Sequence, residues 1–309
     1  MKRNLPLSVL RSVCLFVLLK CSPIDLFCQA IYRSSFFEAG ITLAPSNFLG
    51  DLGGNYGRGT TFLKDNNFPM TRMMTGGYVA FHPFQWLGFR FAGNIGKLEG
   101  DDAIINANGG LEEARKTRNS NFRTDLREAF LVAEVYPTVF LEGSLIEMQG
   151  KLRPYGIIGA GVFHFNPQGR DPKTGEWIYL RPLRTEGQGF KEYPDRKEYK
   201  LTQLNIPMGF GVKYFLSERA TISLEVIHRK TFTDYIDDVS KTYYDPSALA
   251  AQSSGYLAAD MADQSDNQFP YITATGEQRG DPRDKDSYMF AVITINYKLR
   301  TGRSAFPMF

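Results

Sequence analysis

The stretch from His228 to Pro246, HRKTFTDYIDDVSKTYYDP, contains the densest group of chemically capable side chains in the sequence. Four aspartates, Asp234, Asp237, Asp238 and Asp245, fall within twelve residues, beside a histidine, an arginine and two lysines. Carboxylates this close can coordinate a cation, form a catalytic acid–base pair, or accept backbone hydrogen bonds and so order a turn. Which of these applies depends on the element that carries the stretch.

The spacing of these residues does not match a catalytic or metal-binding motif. A calcium loop of the EF-hand type requires acids at alternating positions, a central glycine and a late glutamate, and the stretch lacks that pattern. The three histidines, His82, His164 and His228, are not spaced to share a metal, and the chain has no phosphate loop, GxSxG or HExxH motif. We therefore expect no metal, no cofactor and no catalytic residue.

The stretch is instead expected to order a loop through side-chain hydrogen bonds to the backbone. The residues expected to do so are Thr233, Asp234, Tyr235, Asp237, Asp238 and Asp245. Two alternatives stay open, namely cation binding by the aspartates and a hydrolytic pair of His228 with Asp234 or Asp237.

The beginning of the chain is typical of a secretory signal peptide. Lys2 and Arg3 precede the short apolar run from Val13 to Leu19, and small residues flank a cleavage region that ends at Ala30. The apolar run is too short to span a membrane as a helix. The sequence thus predicts a cleaved signal peptide at residues 1–30 and a single exported domain at residues 31–309.

Composition excludes several classes of protein. All three cysteines precede residue 30, so the mature domain is expected to contain neither a disulfide nor a thiolate metal site. A net charge of +3 over 309 residues does not indicate binding to nucleic acid. The 29 glycines, 16 tyrosines and 24 phenylalanines favour a β-protein over a helical one.

A period of two is the main structural signal. From Leu204 to Leu216 every even position is apolar, whereas the odd positions are mostly polar, glycine or proline. This alternation predicts a strand with one apolar face, as long as the roughly 9–11 residues that a bilayer-spanning barrel strand needs. The strands predicted in this way are Phe36–Leu43, Thr71–His82, Trp86–Leu98, Arg127–Tyr136, Tyr155–Phe165, Leu201–Leu216, Thr221–Phe232 and Ser287–Arg300.

The links between the predicted strands alternate between short and long. This indicates an all-β fold, an eight-stranded antiparallel outer-membrane β-barrel with short periplasmic turns and long extracellular loops. A soluble sandwich or lipocalin-like barrel is the alternative, against which the apolar outer faces argue. An aromatic girdle is expected at the periplasmic ends of the strands. Its expected members are Trp86, Tyr136, Tyr155, Tyr214 and Tyr297.

Seven charged residues are predicted to point into the barrel. They are Glu38, Arg90, Glu128, Glu134, Lys213, Glu225 and Arg229. Side chains fill the interior of an eight-stranded barrel, and an unpaired charge buried there is strongly destabilising. We therefore expect the four acids and three bases to pair in a packed ionic core. A polar conduit or proton path is the alternative.

Three sequence features carry a family resemblance. They are FTDYIDDVS (Phe232–Ser240) followed by TYYDP, Arg118-Asn119 ahead of the strand with Glu128 and Glu134, and RPYGIIGAGVFHFNP (Arg153–Pro167). Together they resemble the PorG-like outer-membrane barrel family of Bacteroidota. The resemblance extends over residues 36–245 and the last predicted strand, whereas residues 246–284 have no counterpart in it.

The resemblance implies a non-enzymatic role in the outer membrane. PorG-like barrels belong to the type IX protein secretion system, which in some members of the phylum also supports gliding motility. They associate with a periplasmic ring built from the PorK lipoprotein and PorN. The implied partners are therefore outer-membrane lipids and ring proteins of PorK and PorN type, with no nucleic acid. A surface-binding barrel and a rim-located hydrolase are the alternatives.

Overall fold

The computed structural model describes residues 35–53, 68–105, 112–141, 151–252, 254–266 and 269–299, so the predicted signal peptide lies outside the described residues. The strands are β1 (Phe36–Leu49), β2 (Arg72–Phe84), β3 (Leu87–Asp101), β4 (Asn121–Val135), β5 (Leu152–His164), β6 (Gln168–Arg170), β7 (Trp177–Tyr179), β8 (Thr202–Phe215), β9 (Ala220–Thr231) and β10 (Ser287–Leu299). The α-helices are α1 (Glu112–Arg118), α2 (Pro246–Ala250) and α3 (Tyr256–Ala262). Short 3-10 helices occur at Phe68–Met70, Asp102–Ile104, Pro137–Leu141 and Arg181–Leu183.

Eight of the strands close into an antiparallel barrel. Their order is β3-β2-β1-β10-β9-β8-β5-β4, and β3 also pairs with β4, so the sheet returns to its starting strand. The first and last strands are neighbours, with Phe37 opposite Leu299. The predicted eight-stranded antiparallel barrel is thereby confirmed. Within the described ranges, no helix has the length and apolar character needed to cross a membrane.

The register of the pairs sets the tilt of the strands. Starting at Ile95 on β3 and stepping from each residue to its partner on the next strand, one direction round the barrel reaches Thr202 on β8. The other direction reaches Val212 on the same strand. The two end points are ten residues apart along β8, which is the shear of the barrel. A barrel of this kind has strands tilted by roughly 35–45° from its axis and an interior that side chains can fill.

Alternation along the strands separates an outer from an inner face. On β8, the side chain of Leu204 points outward and is 64% exposed, whereas Lys213 points inward and is 4% exposed. The outward, exposed apolar residues form a continuous surface, the apolar belt. Its members are Phe37, Ile41, Leu43, Val79, Phe89, Phe91, Ile95, Leu131, Val135, Ile158, Val162, Leu204, Phe210, Ile222, Leu224, Ile293 and Ile295.

The two ends of the barrel differ. At the short-turn end, β2 is joined to β3 by Gln85 and Trp86 alone, and β8 is joined to β9 by residues 216–219. At the long-loop end, residues 165–201, 232–252, 254–266 and 269–286 form a cap that includes α2, α3 and the β6–β7 hairpin. The cap has its own hydrophobic cluster, built from Leu180, Leu183, Phe190, Tyr244, Leu249, Ala258, Met261 and Ala262.

Three strands extend beyond their predicted bounds at the long-loop end. β1 continues to Leu49, β3 continues to Asp101, and β4 begins at Asn121 rather than at Arg127. The extension of β3 and β4 follows from their unbroken pairing, which runs from Leu87–Val135 to Asp101–Asn121. Polar residues outnumber apolar ones in these extensions, which is why alternation of hydrophobic residues did not reveal them.

Two tyrosines of the predicted aromatic girdle lie inside the barrel instead. Tyr136 and Tyr155 are buried, whereas Tyr214 and Tyr297 are exposed on the outer face as expected. The prediction for Tyr155 is wrong because β5 has apolar or glycine residues on both faces, so its sequence did not reveal its orientation. Tyr136 turns inward just after β4, where its backbone N–H donates to the carbonyl oxygen of Trp86.

Candidate functional site: the barrel interior and the cap

Arg90 lies at the centre of an ionic network near the short-turn end. Its Nε atom is 2.8 Å from Oε1 of Glu134, and its Nη1 atom is 2.9 Å from Oε1 of Glu225. Tyr136 donates a hydrogen bond to Glu134, and Tyr155 donates one to Glu225. One guanidinium and two phenol donors thus serve two buried carboxylates, which reduces the penalty for burying their charge.

Lys213 and Glu38 form a second pair at the same level of the interior. The Lys213 Nζ atom is 2.7 Å from Oε1 of Glu38. Tyr78 donates to that same carboxylate oxygen over 2.6 Å. The two networks lie side by side, because the Tyr78 ring also faces the Arg90 guanidinium at 5.0 Å.

Arg229 and Glu128 form the third pair, nearer the cap. The Nη2 atom of Arg229 is 2.8 Å from Oε1 of Glu128, and its guanidinium faces the rings of Phe130 and Phe290. Tyr288 donates to the other carboxylate oxygen over 3.0 Å. All seven charged residues predicted to point inward are therefore buried within the barrel, and each contacts an opposite charge.

The sequence did not reveal one base in the barrel interior, Arg153, or the tyrosine hydroxyl groups that donate to the buried carboxylates. Arg153 is buried on the inner face of β5, the strand whose faces could not be assigned. Its addition makes four bases for four acids, so the interior is closer to neutrality than the sequence indicated. The tyrosine hydroxyls were missed because a tyrosine on an alternating strand has the same pattern whether it faces lipid or a carboxylate.

The aspartates of FTDYIDDVS bind the cap to itself and to the barrel rim. Asp237 accepts the backbone N–H groups of Leu52 and Val239, both at 3.0 Å, with its two carboxylate oxygens. Asp238 accepts the hydroxyl groups of Tyr199, at 2.6 Å, and Thr185. Asp238 has a φ of 65°, a left-handed conformation that Asp and Asn tolerate better than most residues.

The remaining residues of the predicted loop have separate structural roles. Asp234 accepts from the Ser240 hydroxyl at 2.6 Å, and the Thr233 carbonyl accepts from the backbone N–H of Asp286 at 3.1 Å. Tyr235 stacks on Tyr199 with ring centroids 4.9 Å apart. Asp245 lies apart from the other aspartates, where its side chain caps α2 by accepting from Ser247 N–H.

Two acids that the sequence did not single out join this group. Asp286 accepts the Ile236 N–H at 2.8 Å with one oxygen, and its other oxygen has no partner among the described residues. Asp51 accepts the backbone N–H of Asp281. We call Asp51, Asp234, Asp237 and Asp286 the rim carboxylates. They come from loops far apart in the chain, so no local motif could reveal them.

Burial and mutual repulsion raise the pKa values of the rim carboxylates. Burial raises the pKa of Asp51 to about 7 and the pKa of Asp234 to about 6. Burial raises the pKa values of Asp237 and Asp286 well above the usual range, and the carboxylate of Asp51 adds to both shifts. Burial also raises the pKa of the adjacent Asp238 to about 6. These groups are therefore weaker acids than aspartates in water.

Two buried arginines tie the cap to the barrel rim through backbone carbonyls. Arg118 forms an ion pair with Asp102 at 2.7 Å and donates to the carbonyl oxygens of Asp51 and Arg279 at 2.6 Å. Arg279 in turn donates to the Asp238 carbonyl at 2.7 Å and to Glu186 at 3.1 Å. A guanidinium has five N–H donors, so one arginine can hold several loop segments together.

This arrangement does not resemble a catalytic or metal centre. Within the described ranges, no group of three or more His, Cys, Asp or Glu residues is arranged to hold a metal ion. His228 faces outward on β9, one strand position away from the inward-facing Arg229, so it points away from the rim carboxylates. The hydrogen bonds of Asp237 and Asp238 fix backbone and hydroxyl groups, which is a structural task.

Several solved outer-membrane barrels are similar to this chain in structure, at low sequence identity. No protein-family model matches the sequence, and no curated protein matches it. The outer membrane protein OprG from Pseudomonas aeruginosa is 12% identical, covers 87% of this chain and 98% of its own, and has a TM-score of 0.37. Neisserial surface protein A is 8% identical, covers 86% and 100%, and has a TM-score of 0.35. A major outer membrane protein from Thermus thermophilus is 11% identical, covers 86% and 100%, and has a TM-score of 0.35.

Proposed function

We propose that this chain is an integral outer-membrane barrel with a structural, non-enzymatic role in type IX protein secretion. The apolar belt is the observation that carries the membrane placement. It surrounds a closed barrel, and a barrel surrounded by water would need polar residues on that face. Lipid hydrocarbon removes the belt from water, whereas the charged cap and the short turns stay outside the hydrocarbon.

The filled interior favours a scaffold over a channel. Arg90, Arg229 and Lys213 reach across the barrel to carboxylates on other strands, and their side chains occupy the space that a conduit would need. The hydrogen-bonded cap covers the long-loop end. A membrane anchor requires a rigid barrel of this kind, and it requires no passage for solutes.

The sequence resemblance supplies the partners in this proposal. A PorG-like barrel would contact ring proteins of PorK and PorN type from the periplasmic side. With long loops facing outward, that side is the short-turn end. Leu141, in the 3-10 helix after β4, is 87% exposed there and is a candidate for such a contact. The function of protein secretion, and of gliding where it occurs, follows from the same resemblance.

Cysteine labelling on whole cells tests the orientation. Lys191→Cys in the cap should react with a membrane-impermeant maleimide, whereas Glu218→Cys in the β8–β9 turn should react only after the outer membrane is opened. The chain has no cysteine after residue 28, so labelling reports the introduced position alone. Labelling of Glu218→Cys but not Lys191→Cys on intact cells would reverse the orientation.

Affinity purification tests the secretion role. The tagged barrel, extracted in mild detergent, should co-purify with PorK- and PorN-type proteins, and deletion of its gene should reduce secretion. Leu141→Glu should weaken co-purification, whereas Lys191→Glu in the cap is the matched control and should not. A barrel that purifies alone and whose deletion leaves secretion intact contradicts the proposal. If deletion of the gene instead abolishes a hydrolytic activity, the alternative of a rim-located hydrolase is favoured.

A further inference from the structure

Three basic residues lie side by side on the outer face of the barrel, at the extracellular edge of the apolar belt. Arg127 on β4 is directly opposite His164 on β5 and, on its other side, opposite Ile95 on β3. Lys97 follows Ile95 by two positions, so it is the diagonal neighbour of Arg127. Diagonal neighbours on one face of a sheet are within reach of long side chains. We call Lys97, Arg127 and His164 the basic row.

Each member of the basic row is the first ionisable residue beyond the apolar belt on its strand. On β3, Lys97 comes after Phe91, Gly93 and Ile95 along the outer face, and on β5, His164 comes after Ile158, Ala160 and Val162. On β4, counting from the short-turn end, Arg127 follows the outward residues Val135, Ala133, Leu131 and Ala129. All three side chains are exposed. In a membrane, the row therefore lies at the boundary between hydrocarbon and lipid headgroups.

The basic row has more positive charge than the chain neutralises. Asp125 approaches Lys97 only to 3.8 Å, and its side chain is 75% exposed, so the pair is weak. In the part of the chain that the structure describes, no carboxylate forms an ion pair with Arg127. The Nδ1 atom of His164 is 3.0 Å from the hydroxyl of Thr202, which adds a hydroxyl group beside the row.

The row is confined to one side of the barrel. On the outer faces of β1, β2 and β10, the residues at the same boundary are Pro45, Met73 and Ser287, which carry no charge. β9 has two ionisable residues on its outer face, the half-buried His228 and the exposed Lys230, and Lys230 lies between Ile206 on β8 and Ser287 on β10. If the bases served only a general attraction to an anionic membrane surface, we would expect them all round the barrel. A cluster on three adjacent strands instead indicates a specific binding site.

We propose that Lys97, Arg127 and His164 bind the phosphate headgroup of a lipid in the outer leaflet, with its acyl chains lying on the apolar belt below. A guanidinium matches the geometry of two phosphate oxygens and lysine supplies a point charge. Val162, next to His164 on the outer face of β5, and Leu131, two outward positions from Arg127 on β4, give the chains an apolar wall. This proposal goes beyond the secretion role and rests on the proposed placement of the barrel in the outer membrane with its long loops facing outward.

Native mass spectrometry of the full-length barrel in detergent tests the proposal with defined probes. The parent protein is titrated with lipid A that carries both phosphates, and with lipid A from which the phosphates have been removed. Lys97→Gln combined with Arg127→Gln should raise the half-saturating concentration of the phosphorylated probe by about tenfold or more, since each of the two bases near an anionic headgroup contributes roughly a fivefold gain in affinity. The dephosphorylated probe should bind weakly to both proteins.

Lys230→Gln is the matched control, because it removes an exposed base at the same boundary but outside the basic row, and it should bind the phosphorylated probe as the parent does. Excess inorganic phosphate should not displace the lipid, since it lacks acyl chains. Equal binding by parent and double variant, an equal loss in Lys230→Gln, or displacement by inorganic phosphate would each overturn the proposal. Gel mobility before and after heating shows separately that each variant is folded. If the double variant does not fold, Lys97→Gln alone provides the comparison.

Discussion

Arg229 on β9 and Glu128 on β4 form an ion pair across the barrel interior, although β8 and β5 lie between their strands in the sheet. Both side chains are fully buried. The pair therefore joins two distant parts of the barrel wall. Each charge compensates the other, because neither side chain is exposed to water.

Arg229→Met is expected to destabilise the barrel by about 3–5 kcal/mol, because it leaves the Glu128 carboxylate buried without its cation. Unfolding by urea in detergent micelles, followed by gel mobility, measures the change. The double variant Arg229→Met with Glu128→Gln should recover part of the loss. Additive effects of the two substitutions would show that the pair contributes no coupling.

Gly211→Ala is expected to destabilise the barrel by about 1–3 kcal/mol through overpacking. A Cβ atom at this position would lie 2.8 Å from Cζ of Tyr155 and 2.9 Å from Cγ of Glu225, both in the packed interior. Gly156→Ala on the adjacent strand is the control, since a Cβ atom there has no neighbour within 4 Å. Equal unfolding midpoints for the two variants would contradict the packing argument.

Phe210→Arg should destabilise the folded barrel by about 2–4 kcal/mol in lipid, as expected for a base near the middle of the lipid-facing surface. Phe210 is 63% exposed within the apolar belt, so no interior contact accounts for the effect. Unfolding in lipid vesicles measures it. Phe210→Leu keeps the surface apolar and should stay near the parent. Unchanged stability of Phe210→Arg would place this face in water.

Asp286→Asn and Asp237→Asn should have opposite effects on the cap at neutral pH. Asparagine at 286 keeps one acceptor for the Ile236 N–H and stays neutral as the other rim carboxylates ionise, so limited proteolysis of the cap should slow. Asparagine at 237 has one acceptor for two N–H groups, those of Leu52 and Val239, so proteolysis should accelerate. Faster cleavage of both variants would mean that repulsion among the rim carboxylates is unimportant.

Order in the cap is expected to decrease as the pH rises. The folded-state pKa values of Asp51, at about 7, and of Asp234 and Asp238, at about 6, lie above the unfolded value of 3.8. The folded cap therefore binds more protons, and its stabilisation is complete below about pH 4 and is lost as the pH rises through 6 to 7.

Hydrogen exchange of residues 232–252 should accordingly be slower at about pH 5 than at about pH 8, after correction for the intrinsic pH dependence of exchange. The bases facing this group are Arg118, Arg279 and Lys285, and the other acids are Glu186 and Asp281. Arg118 and Arg279, whose pKa values are raised by the neighbouring acids, keep their charge over this range and so do not oppose the trend. Asp286→Asn should reduce the pH dependence. Protection that increases with pH would contradict the assignment.

The barrel could be predicted from the sequence because alternation is a local property. Leu204 and Lys213 lie on opposite faces of β8, and the alternation of apolar and polar residues beside them in the sequence predicts this. The strand containing Tyr155 gave no such signal, since glycine and apolar residues occupy both faces. The rim carboxylates were equally hidden: Asp51 and Asp286 meet Asp237 only because the closed register brings β1, β9 and β10 together.

The pairing of β1 with β10 also determines how the chain must be assembled. Phe37 lies in the first strand to be synthesised and Leu299 lies in the last. The contact that closes the barrel therefore joins the most distant parts of the sequence. Until then, both edge strands expose unpaired backbone groups that hydrocarbon cannot satisfy. Contacts of such long range form slowly. We therefore expect that removal of β10 yields a polypeptide that aggregates instead of inserting into lipid vesicles.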